Sequence, residues 1–396
     1  MLITLIAGAR PNFMKIAPLI KAIQKAAAQG HDIRHRLVHT GQHYDKNMSD
    51  TFFEELGIPM PDVNLGCGGG TQAEQTANIM VAFEKDLLAN PTDLVLVVGD
   101  VTSTMACSIV AKKLNTKVCH VEAGIRSWDQ TMPEEINRMV TDALADYMFT
   151  TSEIANKNLL LQGACLEAKG ERREARGEEL PALPEEQYAF KRTPQRVWYV
   201  GNVMIDTLLA NRSRFRRPAV YDSLGLEEKQ YVVMTMHRPA NVDEQEHLKA
   251  LMEQIITNVH GLPIIFPIHP RTAKLFYNLW GDEEKLKEIF PNLHIVDPMG
   301  YLEFNYLVER AKAVVTDSGG ITEETTVMGV PCITLRDNTE RPETCTVGTN
   351  MLIGTKPEAI KPALDKLFAG EWKQGAIPAL WDGHTAERIV EILLSL

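Results

Sequence analysis

The sequence contains no apolar run of about 18 residues, the length that a membrane-spanning helix needs. It also has no excess of positive charge, since the formal net charge is −11 over 396 residues, which argues against a broad nucleic-acid surface. Met1–Gly8 has no basic leader, so we expect a first buried strand there and no signal peptide. These absences favour a soluble globular protein that binds a smaller ligand.

Three motif classes are missing as well. The six cysteines form no C-x-x-C pair, which favours reduced core thiols in a cytoplasmic protein. There is no H-E-x-x-H or comparable metal cluster, and the first strand is not followed by the dinucleotide pattern G-x-G-x-x-G. We therefore expect neither a metal nor a cofactor.

What is present is an alternation of short apolar runs with longer helical patterns, which predicts an α/β protein with parallel sheets. The length suits two domains of about 200 residues each. The predicted strands are Leu2–Ala7, His35–His39, Leu94–Val98, Val118–Glu122, Tyr147–Thr150, Val197–Val200, Tyr231–Met236, Pro263–Pro267, Leu293–Val296, Ala313–Thr316 and Pro331–Leu335.

Two doubly wound, Rossmann-like domains follow from this pattern, with ligands expected in a shared cleft at the carboxyl ends of the strands. We place the first domain at 1–202 and the second at 203–384, with the last helix, 385–396, crossing back onto the first. The charged segment at 167–193 has few apolar residues and is predicted to be a solvated insertion.

The most informative segment is Thr316–Glu324, which follows a β-rich apolar run. A strand, a turn with two glycines and a helix start together present backbone N–H groups to an anion. Ser318, Gly319 and Gly320 are therefore candidates for a phosphate-binding turn, and Glu324 for accepting hydrogen bonds from a sugar hydroxyl. The alternative is an ordinary turn in which the Ser318 side chain caps the helix.

Three carboxylates stand at predicted strand ends or at a helix start. Asp100 follows one buried strand, Glu122 closes the next, and Glu134 begins a helix. Carboxylates that converge in a cleft can have raised pKa values and act as acid or base. The alternative is structural: Asp100 would cap a helix, and Arg126 or Arg138 would neutralise Glu122.

Cations and histidines occupy the same predicted strand ends. Arg10 and Lys15, near the start of the first helix, would fit a diphosphate. His237 and His269 each lie close to an arginine and are candidates for phosphate contact or acid–base work, although His269 also fits a core position. Arg341 could contact a phosphate or sugar, the alternative being a surface ion pair with Glu340 or Glu343. Phe304 could offer an aromatic face to a base, the alternative being core packing.

Many of these segments occur together, and in this order, in one known family. The sequence resembles the non-hydrolysing UDP-N-acetylglucosamine 2-epimerases over nearly its whole length. The segments that carry the resemblance are Gly8–Pro11, His39–His43, Gly99–Asp100, His120–Arg126, Pro133–Arg138, Val200–Asn202, His237–Arg238, Asp317–Ile321 and Glu340–Glu343.

The resemblance implies two facing domains of the glycosyltransferase-B type, a homodimer, and reversible inversion at C2 of the sugar without a redox cofactor. It also implies that UDP leaves as the C2 proton is removed and returns to a 2-acetamidoglucal. By position, Asp100, Glu122, Glu134 and His237 match residues tied to catalysis in the family. The residue patterns and the resemblance together predict a set of residues that contact the UDP-sugar. These are Arg10, Lys15, Arg138, His269, Phe304, Ser318, Gly319, Gly320, Glu324 and Arg341.

Two departures from the family pattern concern substrate and regulation. Gln42–Asp45 lacks the arginine and further glutamine of members activated by their substrate, and Gly68–Gly70 replaces an expected arginine. Gln42–Asp45 also resembles relatives acting on UDP-2,3-diacetamido-2,3-dideoxyglucuronic acid, whereas Glu340–Glu343 has the form of the simpler epimerases. The expected substrate is UDP-N-acetylglucosamine. One alternative is epimerisation of the glucuronic acid derivative, and another is a UDP-sugar-dependent glycosyltransferase on the same scaffold.

Overall fold

The fold was analysed in a computed structural model that describes residues 1–42, 56–162, 195–268 and 270–396. The predicted insertion at 167–193, most of Gln42–Asp45 and the candidate His269 lie outside the described residues. The described residues divide into two compact units. The first comprises 1–12, 23–42, 61–162 and 195–200, and the second comprises 13–22, 56–60, 201–268 and 270–396.

The first unit is built on a seven-stranded sheet in the order β3-β2-β1-β4-β5-β6-β7, with every pairing parallel. Its strands are β1 (Leu2–Ala7), β2 (Arg34–His39), β3 (Val63–Asn64), β4 (Leu94–Val98), β5 (Lys117–Ala123), β6 (Tyr147–Thr150) and β7 (Arg196–Tyr199). The helices that follow these strands are α1 (Arg10–Ala28), α2 (Gln72–Ala89), α3 (Thr102–Lys113), α4 (Pro133–Leu144) and α5 (Glu153–Leu161).

The second unit has a six-stranded parallel sheet in the order β10-β9-β8-β11-β12-β13. Its strands are β8 (Val232–Thr235), β9 (Ile264–Pro267), β10 (Leu293–Val296), β11 (Ala313–Thr316), β12 (Cys332–Thr334) and β13 (Asn350–Leu352). Its helices are α6 (Val203–Asn211), α7 (Ala219–Ser223), α8 (Pro239–Val242), α9 (Gln245–Asn258), α10 (Pro270–Trp280), α11 (Glu283–Ile289), α12 (Tyr301–Arg310), α13 (Gly319–Met328), α14 (Pro342–Thr346), α15 (Ile360–Phe368) and α16 (Thr385–Leu394), with 3-10 turns at Arg212–Arg214 and Pro357–Ala359.

Both sheets are held by continuous apolar strands. All five residues of β4 are buried, and so are all four of β11, as expected for parallel strands covered on both faces. Each sheet reverses its strand order once, between β1 and β4 in the first unit and between β8 and β11 in the second. Doubly wound sheets bind ligands at the carboxyl ends of the strands beside such a reversal.

The predicted α/β class with two parallel, Rossmann-like sheets is confirmed. Two short strands, β3 and β13, were not predicted. Within the second unit, Asp206 of α6 accepts hydrogen bonds from the backbone N–H groups of Thr385 and Ala386, which begin α16. The predicted domain limits, including the placement of the last helix on the first domain, stay predictions.

The described cysteines are free thiols, and Cys67, Cys107, Cys119 and Cys332 are buried. Burial raises the pKa of Cys332 to about 12, so this thiol is protonated at neutral pH. Among the described residues, no helix combines the length and the apolar character that crossing a membrane requires.

Candidate active site

The first group of candidate residues lies at the carboxyl ends of β4 and β5. Val98 pairs with Val121, so Asp100 and Glu122 leave the sheet at the same edge. The side chain of Asp100 is 30% exposed, and its Oδ2 forms an ion pair with Arg138 Nη2. Helix α3 begins at Thr102 after Val101, whose side chain makes no capping hydrogen bond, and Gln42 Oε1 accepts a hydrogen bond from the backbone N–H of Ser103 in its first turn at 3.3 Å. The alternative that Asp100 caps this helix stays open.

Glu122 has an unusual backbone. Its φ angle is 70°, in the left-handed region, at a point where the pairing of β5 with β6 shifts between Val121 and Ala123. Such a conformation costs a non-glycine residue on the order of 1–3 kcal/mol, and it persists only where neighbours hold it. The residue is only 3% exposed. A strained, buried carboxylate at a strand end is typical of a functional position.

Helix α4 holds these strand ends with an entirely polar buried face. Its buried residues are Glu135, Asn137, Arg138, Thr141 and Asp142. Arg138 binds Asp100 and, through Nη1, lies 2.8 Å from Glu135 Oε2, while Asn137 Nδ2 donates to the backbone oxygen of Asp100 at 2.9 Å. Glu134, the third predicted carboxylate, is exposed in the first turn of this helix.

Asp142 and His120 form a buried pair, which we name the closed pair. Nδ1 of His120 lies 2.6 Å from Asp142 Oδ1, and Nε2 lies 2.8 Å from the backbone oxygen of Gly99. Arg126 Nη2 donates to Asp142 Oδ2 at 2.5 Å. Burial by itself would raise the pKa of Asp142, but the charges and hydrogen bonds of His120 and Arg126 outweigh it and lower that pKa.

The turn after β1 is also tightly built. A Cβ on Gly8 would stand 2.2 Å from Ser103 Oγ, so a side chain has no room there. Asn12 Oδ1 accepts hydrogen bonds from the backbone N–H groups of Gly8 and Ala9 at 3.0 Å each, which fixes the start of α1. Arg10 is the first residue of α1, but its side chain lies outside the described part of the structure.

Lys15 lies further along α1 and is half-buried. Phe304 of α12 is likewise half-buried and packs against an apolar cluster of the second unit. Core packing was the alternative for Phe304, and this contact favours it without testing contact with a ligand.

In the second unit, His237 and Asp317 form what we name the open pair. Thr235 of β8 pairs with Thr316 of β11, so both residues leave the sheet at one edge. His237 Nδ1 lies 2.9 Å from Asp317 Oδ1, while the His237 side chain is 64% exposed and that of Asp317 is fully buried. The Asp317 carboxylate also accepts hydrogen bonds from the backbone N–H groups of His237 and Arg238.

The pKa of Asp317 is lowered for a reason that parallels Asp142. Burial would raise it, but hydrogen bonding and charge from His237, with the two backbone N–H donors, more than compensate. A charged Asp317 fixes the His237 ring with Nδ1 as donor. The opposite nitrogen, Nε2, belongs to a side chain that is 64% exposed.

The predicted phosphate turn follows Asp317. Helix α13 begins at Gly319, and the Ser318 side chain makes no capping hydrogen bond to it. Ser318 thus occupies the N-cap position, as in the alternative of an ordinary turn, but its side chain does not cap the helix. A Cβ on Gly320 would meet nothing within 4 Å, so the space beside this glycine is open in the described structure, whereas a Cβ on Gly319 would meet Arg336 Nη1 at 3.6 Å. N–H groups at a helix start beside open space can bind an anion.

Two adjacent glutamates on α13 have different partners. Glu323 forms an ion pair with Arg341 Nε and accepts a hydrogen bond from Asn202 Nδ2 at 2.8 Å. Glu324 is buried and accepts a hydrogen bond from Tyr301 Oη at 2.9 Å. Burial raises the pKa of Glu324 to about 7, an effect that the Glu323 charge reinforces and Tyr301 opposes.

Arg341 was predicted to contact a phosphate or sugar, with a surface ion pair to Glu340 or Glu343 as the alternative. It is in fact buried, and its guanidinium pairs with Glu323. Glu340 instead pairs with Arg336 at 2.8 Å. Burial raises the pKa of Glu343 to about 7, against the opposing charge of Arg341.

These geometries can be compared with known proteins. A family model described as UDP-N-acetylglucosamine 2-epimerase matches residues 25–394. The UDP-N-acetylglucosamine 2-epimerase of Methanocaldococcus jannaschii is 39% identical over 403 aligned residues, which cover 99% of each chain. The chain belongs to the UDP-N-acetylglucosamine 2-epimerase family. The family identified from the sequence motifs is thereby confirmed, as is the expectation of an enzyme of this epimerase class.

A solved structure and one further relative bear on this family member. A solved structure of the M. jannaschii UDP-GlcNAc 2-epimerase in complex with UDP-GlcNAc and UDP is 38% identical, covers both chains completely and has a TM-score of 0.80. The UDP-2,3-diacetamido-2,3-dideoxy-D-glucuronate 2-epimerase of Pseudomonas aeruginosa is 34% identical over the full length of both chains. The family therefore includes full-length relatives named for two different nucleotide sugars.

Several residues that were not predicted as site residues from the sequence organise the candidate residues within each unit of this epimerase-family protein. They are His120, Glu135, Asp142, Tyr301, Asp317 and Glu323. A signal for two of them was visible in the sequence. Glu135, Arg138 and Asp142 are spaced by three and then four residues, which places them on one face of α4.

Proposed function

We propose that the chain interconverts UDP-N-acetylglucosamine and UDP-N-acetylmannosamine by inverting C2 of the sugar. The observation that carries this proposal is the 39% identity with a UDP-N-acetylglucosamine 2-epimerase over 99% of both chains. Two groups of residues support it: acidic side chains at the ends of β4 and β5, and an uncapped helix start with open space in the second unit.

The proposed reaction proceeds by elimination and re-addition. A base takes the C2 proton, the C2–H electron pair becomes a C1=C2 double bond, and the C1–O bond breaks with its electrons going to UDP. The products are a 2-acetamidoglucal and UDP. Protonation of C2 on the opposite face, with return of a UDP oxygen to C1, gives the epimer. If UDP stays bound beside the 2-acetamidoglucal, it can add back to C1 before the sugar is released.

The proposed roles follow from the local environments. Asp100 is paired with a cation and partly exposed, whereas Glu122 is buried and strained, so the two carboxylates lie in different environments. Glu134 and His237 complete the proposed acid–base set. In the second unit we assign the diphosphate to Ser318–Gly320 and the ribose hydroxyls to Glu324.

The decisive experiment incubates the pure enzyme with UDP-N-acetylglucosamine alone in deuterated water. We expect UDP-N-acetylmannosamine to form with deuterium at C2 and without any acceptor. Turnover that requires an added acceptor would instead indicate glycosyl transfer. Binding of the UDP-sugar without any turnover would indicate a sensor, and either result would refute the proposed activity.

The Asp100→Asn and Glu122→Gln variants test the assigned carboxylates. Each should lower kcat by about 100-fold or more, since an acid or base is lost without a large change in shape. A matched control is Asp93→Asn, because Asp93 accepts a backbone hydrogen bond from Leu2 at 2.7 Å, near the opposite end of β4 from Asp100. Near-normal kcat values in both test variants would remove these residues from the mechanism.

A second candidate is 2-epimerisation of UDP-2,3-diacetamido-2,3-dideoxyglucuronic acid. The 34% full-length identity with the Pseudomonas aeruginosa enzyme favours it. Side-by-side measurements of kcat/KM on both nucleotide sugars separate the candidates. A higher value on the diacetamido substrate would replace the first proposal with the second.

The homodimer implied by the family resemblance is also part of the proposal. Val81 and Leu88 on α2 support it, because they are 54% and 63% exposed and lie seven residues apart on one helix face. Light scattering should give twice the chain mass of 44.3 kDa. A mass of one chain at micromolar concentration would contradict the dimer.

A further inference from the structure

Helix α4 reverses the usual arrangement of an amphipathic helix. Its buried residues are all polar or charged, while Ile136 on the same helix is 43% exposed. Burying charges costs free energy that a well-packed apolar face would not, so such a face is weak evidence for stability. The contacts of this helix instead point to positions in the candidate site.

Asp142 reaches two backbone segments from this face. Its Oδ2 accepts a hydrogen bond from the backbone N–H of Gly124 at 3.0 Å, two residues after Glu122. Its Oδ1 holds His120, whose Nε2 lies 2.8 Å from the backbone oxygen of Gly99, one residue before Asp100. One buried carboxylate thus anchors the chain beside both proposed catalytic carboxylates.

The two anchored residues are glycines in the left-handed region, one just before Asp100 and one two residues after Glu122. Gly99 has a φ of 67°, and its N–H also donates to the backbone oxygen of Val121 at 3.0 Å. Gly124 has a φ of 76°, and its backbone oxygen accepts a hydrogen bond from Asn158 at 2.9 Å. Glu122, itself in the left-handed region with a φ of 70°, lies two residues before Gly124.

We propose that Asp142, acting with His120 and Arg126, is a positioning residue that sets the placement of the Asp100 and Glu122 carboxylates. This inference rests on the proposed function for its catalytic consequence. Without the Asp142 carboxylate, Gly124 loses one of its two anchors and Glu122 can relax toward an ordinary φ angle. A shift of about 1 Å in a catalytic group can cost about 100-fold in rate, so a group that touches no substrate can still control kcat.

Asp146 offers a matched control on the same sheet. It is also buried, also pairs with a cation, Lys112, at 2.7 Å, and also accepts a hydrogen bond from a β5 backbone N–H, that of Val118 at 2.8 Å. Val118 is near the amino end of β5, however, whereas Gly124 follows its carboxyl end. Asp142→Asn and Asp146→Asn therefore remove similar interactions at opposite ends of one strand.

The experiment measures kcat, KM and the UDP dissociation constant for both variants. Asp142→Asn should lower kcat by about 10- to 100-fold and leave KM and UDP affinity within about threefold. Asp146→Asn should change none of these by more than about threefold. Equal losses of kcat in the two variants, or a normal kcat in Asp142→Asn, would overturn the proposal. Should Asp142→Asn fail to fold, His120→Gln takes its place, because it leaves the Gly124 and Arg126 contacts of Asp142 intact.

Amide hydrogen exchange separates this inference from the proposed function. In Asp142→Asn, exchange should accelerate in peptides covering 99–101 and 122–124, whereas Asp146→Asn should accelerate exchange near 118 only. This readout needs no turnover, so it remains informative if the wild-type protein epimerises neither nucleotide sugar. Unchanged protection at both segments in Asp142→Asn would refute the positioning role whatever the substrate.

Discussion

The closed pair of the first unit and the open pair of the second use the same two residue types in different places. His120 lies within β5 and Asp142 on α4, whereas His237 and Asp317 follow β8 and β11. In the closed pair, His120 is fully buried and both ring nitrogens lie within 2.8 Å of oxygen atoms. In the open pair, Nδ1 of His237 lies 2.9 Å from Asp317 and the side chain is 64% exposed. The aspartate pKa is lowered in both pairs, so both aspartates are charged at neutral pH.

The difference between the pairs lies in the second ring nitrogen. A histidine whose two nitrogens are both occupied by protein oxygens orients backbone but has no site left for a ligand proton. A histidine held by one nitrogen has a fixed ring plane and an exposed nitrogen that can donate or accept. We therefore assign the closed pair to positioning and the open pair to direct contact with the ligand.

The largest expected effect comes from breaking the open pair. His237→Asn should lower kcat by about 100-fold, the usual order for loss of a group that takes part in proton transfer. The melting temperature should change little, because the ring is mostly exposed. His120→Asn should lower both kcat and the melting temperature, because it leaves buried polar groups without partners.

A matched control exists for His237. His384 is 65% exposed and its Nδ1 lies 2.9 Å from Glu387 Oε2, so it reproduces the exposed histidine–carboxylate geometry elsewhere in the second unit. His384→Asn should leave kcat unchanged. If His237→Asn and His384→Asn behave alike, exposure and pairing do not identify a functional histidine.

Substitutions of glycines next to the two pairs should give the same contrast with smaller effects. Near the closed pair we expect a loss of stability, and near the open pair a loss of ligand affinity. A Cβ on Gly124 would stand 2.3 Å from the backbone oxygen of Ala155, and its φ is 76°, so Gly124→Ala should destabilise the fold. Gly320 faces open space, and alanine suits a helix better than glycine. Gly320→Ala should therefore keep the melting temperature while it weakens UDP binding about tenfold, or ~1.4 kcal/mol.

Calorimetric titration with UDP and thermal melting test this pair of variants. A methyl group on Gly320 would fill the space that the phosphate is proposed to occupy. Unchanged UDP affinity in Gly320→Ala would place the diphosphate elsewhere.

Much of the fold could be predicted because hydrophobic periodicity reports burial directly. Leu94–Val98 and Ala313–Thr316 were predicted with the limits that the structure shows, since continuous apolar runs suit strands covered on both faces. Val63–Asn64 and Asn350–Leu352 were missed. Runs of two and three residues at sheet edges are too short to show a period.

The candidate site was only partly predictable for a related reason. Motif spacing predicted that Asp100 and Glu122 would leave neighbouring strands, and the register of β4 with β5 confirms it. The partners of a buried charge depend on three-dimensional contact, so Arg126 could not be assigned to Asp142 from spacing alone. The exposure that separates His120 from His237 likewise depends on the packing around each ring.

The smallest expected effect concerns the pH dependence of ligand binding near the open pair. Burial raises the pKa of Glu324 to about 7, so its carboxyl is charged above that pH and protonated below it. If the carboxylate accepts hydrogen bonds from ribose hydroxyls, its protonation replaces charge-assisted bonds with weaker neutral ones. Affinity for a UDP-sugar should then fall as the pH drops, by about threefold between pH 8 and pH 6.

Equilibrium binding of UDP-glucose suits this test, because its diphosphate carries no proton that titrates near neutral pH. Glu324→Gln should bind more weakly than wild type at pH 8 and should lose most of the dependence on pH, since an amide does not titrate. The sign distinguishes Glu324 from Asp317: the pKa of Asp317 is lowered, so this carboxylate stays charged throughout the same range. A wild-type affinity that rises toward pH 6, or a dependence that survives in Glu324→Gln, would show that another group in the second unit controls binding.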